Sequence, residues 1–370
     1  MKSKVYMFNL RARGEADNKA NKLNRIMDIE EFKQIFNKDE LTGIKIHFGE
    51  KGNDGYINPT YVRVIVDKLK KLGVKPFLTD TNTLYTGERK NSVDHINTAI
   101  YNGFSYATVN APVIIADGIN SQNYRDIKIN KKHFDNVKIA SDILESDSLV
   151  VMSHFKGHIL AGFGGAIKNL AMGCAPEIGK RAQHAVWPEV IEEKCIGCGL
   201  CAENCPKEAI TIENAKAKID LSKCIGCGEC VNVCQEEAID MDWDVEIKDF
   251  LERLSEYAYG AVLDKKEKVV YINFLMNITP DCDCTPWSDH PIVPDIGILA
   301  SKDPVALDKA SLDLVNKQKG FQNSKLKDNH QPGADKFKGL NPKIENILQL
   351  KHAADIGLGK LEYDLIEMDG

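Results

Sequence analysis

Eight of the eleven cysteines in this 370-residue chain lie in two runs that share one spacing. The first run spans positions 195–205, and the second repeats its C-x2-C-x2-C-x3-C pattern at an offset of 29 residues. Three cysteines at this spacing can hold three corners of a cubane iron–sulfur cluster, while the fourth points to the other cluster of the pair. The spacing therefore predicts two [4Fe–4S] clusters, held by Cys195, Cys198, Cys201 and Cys234 and by Cys224, Cys227, Cys230 and Cys205.

Structural zinc is the alternative metal for this cysteine block. Zinc sites usually take their cysteines in separated pairs, whereas each run here is a triplet with a more distant fourth cysteine. The block resembles the bacterial two-cluster ferredoxins, in which the clusters carry single electrons, and we therefore expect an electron-transfer module. The repeat departs from that pattern at Gln235, where the first run has Pro206.

The charge and hydropathy of the whole chain exclude several classes of protein. A net charge of −6 and a pI near 5.9 argue against nucleic-acid binding. No apolar run approaches the ~18 residues of a membrane span, and the first residues lack the apolar core of a secretory signal. We expect a cytoplasmic protein that spans no membrane, with a redox partner protein or a small-molecule substrate.

Strand and helix patterns alternate on both sides of the cysteine block, which predicts an α/β protein. Short apolar runs predict strands at 43–48, 74–79, 112–116, 149–152, 269–274 and 296–300. Helical periodicity and capping residues predict helices at 59–72, 92–102, 245–263, 305–315 and 342–356, with a polar loop at 316–342. We therefore expect a body with a mixed or parallel sheet (1–186 and 246–370) and an inserted small α+β ferredoxin-like domain (187–245).

A glycine-rich segment directly after the strand at 149–152 could form a ligand site. His154, Lys156 and His158 are spaced two apart, so an extended backbone would place them on one side. The glycines that follow allow close approach of a ligand and could open a helix that carries Lys168. The alternative is a tight turn whose histidines face solvent. The catalytic candidates are His154, His158, Lys168, His184 and His95, and the cofactor-binding candidates are Gly162, Gly164, Gly165 and Asn169.

Polar residues also follow two earlier strands. His47 ends one of them, and Asp80, Asn82 and Arg89 follow the next. These residues could bind a ligand, although the segment 80–83 could equally be a polar turn that caps a helix.

Three cysteines lie outside the block. In the string Cys282-Asp283-Cys284, an extended chain would place both thiols on one side, where they could hold a thiophilic metal. Cys174 is a further candidate for this extra metal site. The alternative is a set of buried or reduced thiols. An additional metal or an organic cofactor of unknown type therefore stays open.

Four strings resemble an uncharacterised family of anaerobe proteins, a domain of unknown function with an inserted two-cluster ferredoxin. They are KIHFGEKGN (45–53), TDTNTLYTGER (79–89), SHFKGHILAGFGGAIKNLAMGC (153–174) and PDCDCTPWSDHPIVPDIGILASKDPVALD (280–308). The resemblance covers nearly the whole chain. It implies the inserted-domain architecture and implies no particular reaction.

A more distant likeness is to the nickel-pincer lactate racemases. In that family a lysine carries the cofactor, a histidine ten residues earlier does acid–base work, and a histidine sixteen residues later binds nickel. His158, Lys168 and His184 have these two intervals here. The likeness implies a shared ancestral fold more than a shared reaction.

Three functions therefore stay open. The first is a redox protein, in which two clusters feed or drain electrons at a site in the α/β body. The second is a nickel- or other metal-dependent isomerase or lyase related to lactate racemase. The third is a non-catalytic ferredoxin-like carrier or maturation protein.

Overall fold

An eight-stranded sheet lies at the centre of the protein. The computed structural model describes residues 2–84, 87–184, 187–224, 229–241 and 246–368. The strands in this part of the chain are β1 (Ser3–Asn9), β2 (Leu41–Lys45), β3 (Lys75–Asp80), β4 (Val113–Ile115), β5 (Tyr124–Lys128), β6 (Asn136–Ala140), β7 (Ser148–His154), β8 (Lys156–His158), β9 (Gly162–Gly164), β10 (Pro188–Val190), β11 (Ile210–Glu213), β12 (Lys216–Ile219), β13 (Ile239–Met241), β14 (Val269–Leu275), β15 (Gly297–Ser301) and β16 (Tyr363–Glu367).

Helices connect most of the strands. They are α1 (Lys19–Met27), α2 (Glu30–Lys33), α3 (Pro59–Lys71), α4 (Ser92–Tyr101), α5 (Tyr106–Val109), α6 (Ser141–Glu145), α7 (Ala166–Gly173), α8 (Glu177–His184), α9 (Leu200–Glu203), α10 (Glu229–Val233), α11 (Glu246–Val262), α12 (Pro304–Asn316), α13 (Lys336–Leu340) and α14 (Ile347–Asp355), with 3-10 turns at Glu15–Asp17 and Lys266–Lys268. In the described ranges, no helix combines the length and the apolar composition that a membrane crossing requires.

The strand order in the large sheet is β16-β1-β15-β14-β7-β2-β3-β4. Neighbours from β14 to β4 are parallel, and only β15 runs against the others. This mixed, mostly parallel sheet confirms the α/β fold class predicted from the sequence. Because β2, β3, β7 and β14 point the same way, their carboxyl ends meet at one edge, where open α/β sheets bind ligands.

Helices cover both faces of the sheet, which explains why its central strands are buried throughout. All seven residues of β7 and all seven of β14 are buried. Along β7, Leu149 and Val151 belong to the core under α7 and α11, while Val150 and Met152 belong to the core under α1 and α3. This alternation is what a strand buried on both faces requires.

Three details of the predicted element order are wrong. The segment 316–342 contains α13, which begins where the Asp335 carboxylate accepts hydrogen bonds from the N–H groups of Phe337 and Lys338 at 3.0 Å. The last helix begins at Ile347 rather than at 342, and β16 follows it. The strands β1 and β16, which the sequence analysis missed, pair with each other in parallel at one edge of the sheet.

The cysteine-rich segment packs around a small core of its own. Two-stranded sheets β10–β13 and β11–β12 flank α9 and α10. The buried residues of this core are Cys195, Cys201, Ile210, Ala217, Cys230, Ala238 and Ile239. The boundaries 187 and 245 predicted for an inserted domain stay a prediction.

Candidate functional site

A cavity lies at the carboxyl edge of the sheet. The segments after β2, β3, β7 and β14 form its walls, together with α7 and α8. Residues far apart in the sequence therefore converge on one site, as is expected where parallel strands end. We call it the edge cavity.

Five cationic side chains line the edge cavity, namely Lys45, Arg89, Lys156, Lys168 and Lys180. Three of them are held by carboxylates, since Lys45 Nζ lies 2.9 Å from Asp80 Oδ1, Lys156 Nζ lies 3.0 Å from Asp283 Oδ2, and Arg89 Nε lies 3.1 Å from Glu50 Oε2. The pKa of Asp80 is well below its usual value, because the cations around it, with Lys45 first, outweigh the burial that would raise the pKa. The cavity carries more cations than anions, which favours an anionic ligand.

Asp283 holds one wall of the cavity in place. His154 Nδ1 lies 2.8 Å from its Oδ1, and Lys156 approaches its Oδ2. Burial would raise the pKa of Asp283, but the charges of His154 and Lys156 outweigh burial and hold the pKa well below its usual value. The Nε2 atom of His154 lies 2.9 Å from the carbonyl oxygen of Asn277, so this ring links β7 to the loop after β14.

Arg89 offers an unused donor to the cavity. Its Nε donates to Glu50 Oε2 at 3.1 Å, and its Nη1 lies 3.2 Å from His47 Nε2. Its Nη2 has no hydrogen-bond partner among the described residues, although the side chain is only 1% exposed. Because buried donors are normally paired, this nitrogen indicates where a ligand or water oxygen binds.

Cys282 and Cys284 lie on the same cavity wall and contact each other. Lys168 Nζ donates to Cys282 Sγ at 3.6 Å. The thiol of Cys284 donates to Cys282, and this bond, aided by the charges of Lys168 and Lys156, holds the pKa of Cys282 well below its usual value. The same bond raises the pKa of Cys284. These two shifts favour the thiolate form of Cys282 and the thiol form of Cys284.

Most of the sequence-derived candidates come together here. The edge cavity is lined by His47, Asp80, Arg89, His154, Lys156, Gly164, Gly165, Lys168, Asn169, Lys180, Cys282 and Cys284. Asn169 has a structural role too, because its amide accepts from Lys45 Nζ at 2.6 Å and donates to Ser153 Oγ at 3.0 Å.

The structure places other candidates outside the cavity lining. His158 Nδ1 accepts from the N–H groups of Leu160 and Ala161 at 3.1 and 3.0 Å, which closes the turn between β8 and β9. The ring of His184 stacks on Phe250 at a centroid distance of 5.3 Å. Of the three residues with lactate-racemase spacing, only Lys168 lines the cavity.

His95 and Cys174 are also buried beside the cavity rather than in its lining. Burial lowers the pKa of His95 to about 3, so its ring is neutral at ordinary pH. Burial raises the pKa of Cys174 to about 11. Because Cys174 does not join the other two thiols, the structure does not assemble the extra metal site as one three-cysteine group.

The glycines predicted to bind a cofactor have packing roles as well. A β-carbon on Gly162, which has φ of 75°, would lie 2.5 Å from the Cβ of Asn346. A β-carbon on Gly165 would lie 2.3 Å from Asp308 Oδ1. Gly164 has more room and lines the cavity.

The N-terminus of α7, expected to be open to a ligand, is occupied by Asp308. Its carboxylate accepts from the N–H groups of Ala166 and Ile167 at 2.8 and 2.9 Å. It also accepts from Asn273 Nδ2 at 2.7 Å. The sequence analysis missed this contact, because Asp308 lies on a distant helix that is brought here by the sheet.

Asp308 should make the stability of the protein depend on pH. Burial raises its pKa to about 6, above the ~3.9 of an unfolded chain. The folded state therefore binds the extra proton, and the stability contributed by Asp308 falls by about 3 kcal/mol as pH rises from about 4 to about 6. Asp308→Asn should remove this decline, as measured by urea unfolding across that window. Asp355→Asn, at an exposed position, is the control and should keep the decline seen in the unsubstituted protein.

The cysteine-rich segment forms a second cavity. Cys195, Cys198, Cys201 and Cys234 all line it. The N–H groups of Ala217 and Ala238 donate to the sulfurs of Cys195 and Cys234 at 3.3 and 3.2 Å. We call this space the thiol cavity.

The other predicted ligand set is described in part. Like the N–H groups of Ala217 and Ala238, the N–H of Ala209 donates to a cysteine sulfur, Cys205 Sγ, at 3.3 Å. Cys230 is buried, and Cys224 is partly exposed. Cys227 lies outside the described residues.

Sequence reasoning missed two charged residues of the edge cavity, Lys45 and Asp283. Lys45 lies two residues before His47, so the alternation of a strand could have placed them on one side. Asp283 lies between the two cysteines, and its contacts with β7 could not be read from local sequence.

Comparison with solved structures finds two similar proteins. The lactate racemase apoprotein from Thermoanaerobacterium thermosaccharolyticum is similar over 75% of this chain and 51% of its own, at 13% identity and a TM-score of 0.36. A crystal structure of a protein from Thermotoga maritima is similar over 79% of this chain and 57% of its own, at 10% identity and a TM-score of 0.40. The chain thus spans little more than half the length of these two proteins.

No curated protein matches the sequence. A family model does match it, over residues 42–313, and this model describes a domain of unknown function, DUF362. The matched range includes the segments that form the edge cavity as well as the cysteine-rich segment. Because the match extends over most of the chain, the protein belongs to the DUF362 family.

Proposed function

We propose that this protein is an electron-transfer protein with two [4Fe–4S] clusters that exchanges electrons with an anionic small molecule in the edge cavity. One observation carries the proposal. The four cysteines that the sequence spacing assigns to one cluster all line a single cavity, although Cys234 comes from the other run. A fold that brings the fourth ligand across from the second run is what two-cluster ligation requires.

The residues of the thiol cavity fit an iron–sulfur cluster. Backbone N–H groups already point at the sulfurs of Cys195 and Cys234, and such bonds stabilise the negative charge of a cluster. Gly197 and Gly199 have φ of 68° and 86°, a conformation that lets the loop turn tightly between its cysteines. When bound, the clusters would supply one-electron transfer.

The cysteine-rich segment contacts the body through ion pairs and apolar packing. Lys343 Nζ lies 2.6 Å from Asp240 Oδ2, and Lys207 Nζ lies 2.8 Å from Glu177 Oε1. Val231, which lies between two predicted cluster ligands, packs against the core of the body. These contacts support passage of electrons between the two parts.

The charges of the edge cavity support an anionic substrate. Arg89 Nη2 is an unused buried donor, and Lys168 and Lys180 line the cavity with no carboxylate of the described residues in salt-bridge contact. A carboxylate or similar oxyanion would satisfy these groups.

The experiment that tests the electron-transfer role is an anaerobic titration with dithionite, followed by electron paramagnetic resonance. Two one-electron clusters should accept about two electrons per chain and give paramagnetic reduced centres. A protein that accepts none, or that holds zinc in place of iron, would contradict the proposal.

Anion binding should depend on Lys180. Burial lowers the pKa of this lysine to about 8, although Asp117 and Asp80 counteract part of the effect. The cavity therefore loses a positive charge as pH rises through about 8, and binding of malonate, used as a probe anion, should weaken on the order of tenfold.

Calorimetric titration with malonate on both sides of that pH measures the effect. Lys180→Met should bind weakly at both pH values and lose the pH dependence. Lys327→Met, which changes a lysine with a 76% exposed side chain, should behave as the unsubstituted protein. If Lys180→Met retained the full pH dependence, another group would be responsible.

A further inference from the structure

The Cys282 and Cys284 pair has a position that electron transfer alone does not explain. Both thiols line the edge cavity, within the turn closed by the bond from the N–H of Thr285 to the carbonyl oxygen of Cys282 at 3.1 Å. Only Asp283 separates the two cysteines in the chain. Two cysteines separated by one residue can form a disulfide when their thiols are oxidised.

We propose, on the basis of the function proposed above, that Cys282 and Cys284 form a redox-active dithiol that takes up two electrons, one from each cluster. Reduction breaks the sulfur–sulfur bond and consumes two electrons and one proton. The products are the Cys282 thiolate and the Cys284 thiol. The electrons come from an external low-potential donor through the clusters, and reoxidation by the same route re-forms the sulfur–sulfur bond, returns one electron to each cluster and releases the proton.

The charges around the pair favour this reduced state. Lys168 lies 3.6 Å from Cys282 Sγ, and Lys156 and Asp283 are the other charged groups that face it. Arg89 faces Cys284 as well. A cation beside a buried sulfur stabilises the thiolate, which is the form that reacts in thiol–disulfide chemistry.

The loop that carries the pair also reaches the cysteine-rich segment. Lys325, which lines a surface cavity together with Cys234 and Ile159, bonds Asp281 at 3.0 Å. Asp281 is the residue directly before Cys282. The N–H of Gly157 donates to the carbonyl oxygen of Thr279 at 2.8 Å, so β8 and this loop are joined next to Ile159. The loop that carries the dithiol therefore bonds a lysine that lines the same surface cavity as a predicted cluster ligand.

Thiol trapping on the full anaerobic chain tests the proposal. The protein is equilibrated in glutathione buffers of increasing oxidation, denatured, alkylated and mapped by mass spectrometry. We expect the peptide with both cysteines to lose two hydrogens and to escape alkylation in oxidising buffer, and to be alkylated at both cysteines after dithionite reduction. Cys284→Ser should abolish this change, whereas Cys174→Ala should keep it.

A second measurement tests the role of Lys168. Lys168→Met should slow alkylation of Cys282 by iodoacetamide in the folded protein at neutral pH by about tenfold, while Lys327→Met should leave the rate unchanged. Iron content is measured on every sample, so loss of the clusters, which would overturn the proposed function, is distinguished from failure of the dithiol. If both cysteines stay alkylatable in every buffer, or are protected only by a metal that a chelator removes, the dithiol proposal is wrong.

Discussion

Cys198→Ala, purified without oxygen, should hold about four iron atoms per chain, whereas the unsubstituted protein should hold about eight. Cys198 lines the thiol cavity with Cys195, Cys201 and Cys234, so its loss removes one ligand from one cluster only. Its side chain is exposed, and the substitution therefore takes away little packing. Iron and acid-labile sulfide analysis, together with the visible absorbance of the clusters, measures the effect.

The matched control is Cys174→Ala. This thiol is fully buried in the body and lines neither cavity, so its removal should leave about eight iron atoms. Iron content that is unchanged in Cys198→Ala would show that this ligand set is wrong. Two zinc ions in place of iron would favour the structural-zinc alternative.

Asp283→Asn should destabilise the folded protein by about 3–5 kcal/mol, because it breaks a buried ion pair from one side. The carboxylate is 1% exposed and lies between His154 Nδ1 at 2.8 Å and Lys156 Nζ at 3.0 Å. An amide keeps the size of the side chain but leaves the Lys156 charge buried without its partner. The free energy of unfolding from urea denaturation is the measurement.

The substitution should also disturb the edge cavity. Without the carboxylate, His154 Nδ1 and Lys156 lose their partner in the loop that carries Cys282, so malonate binding should change as well. Asp289→Asn lies in the same loop at an exposed position and should leave both quantities within experimental error. If the Asp283→Asn protein unfolds at the same urea concentration as the unsubstituted chain, the structural role of the Asp283 carboxylate is refuted.

Local sequence was sufficient for features that depend on short spacing. The strands predicted at 149–152 and 269–274 appear as β7 and β14, and the helix that Pro59 opens appears as α3. These elements carry apolar runs or helical periodicity that tertiary contacts reinforce rather than override. The strands β1 and β16 were missed because partly exposed strands show a weaker pattern.

The edge cavity could be predicted only in part. His154, Lys156, Lys168 and the cysteines at 282 and 284 could be recognised from residue type and from their position after a strand or in an unusual string. The contacts among these residues could not be predicted, because Asp283 lies more than a hundred residues from His154 in the chain. Such a pairing depends on the strand order, which places β14 next to β7.

By itself the sequence determined the α/β class and the spacing of eight cysteines, since both depend on patterns that repeat within a few residues of the chain. Only the tertiary structure decided which charges meet. In the fold, the Asp308 carboxylate binds the N-terminus of α7, the His158 ring closes the turn between β8 and β9, and Lys168 contacts Cys282. The physical reason is that parallel strands collect their carboxyl ends at one edge, and the order of those strands is a property of the whole fold.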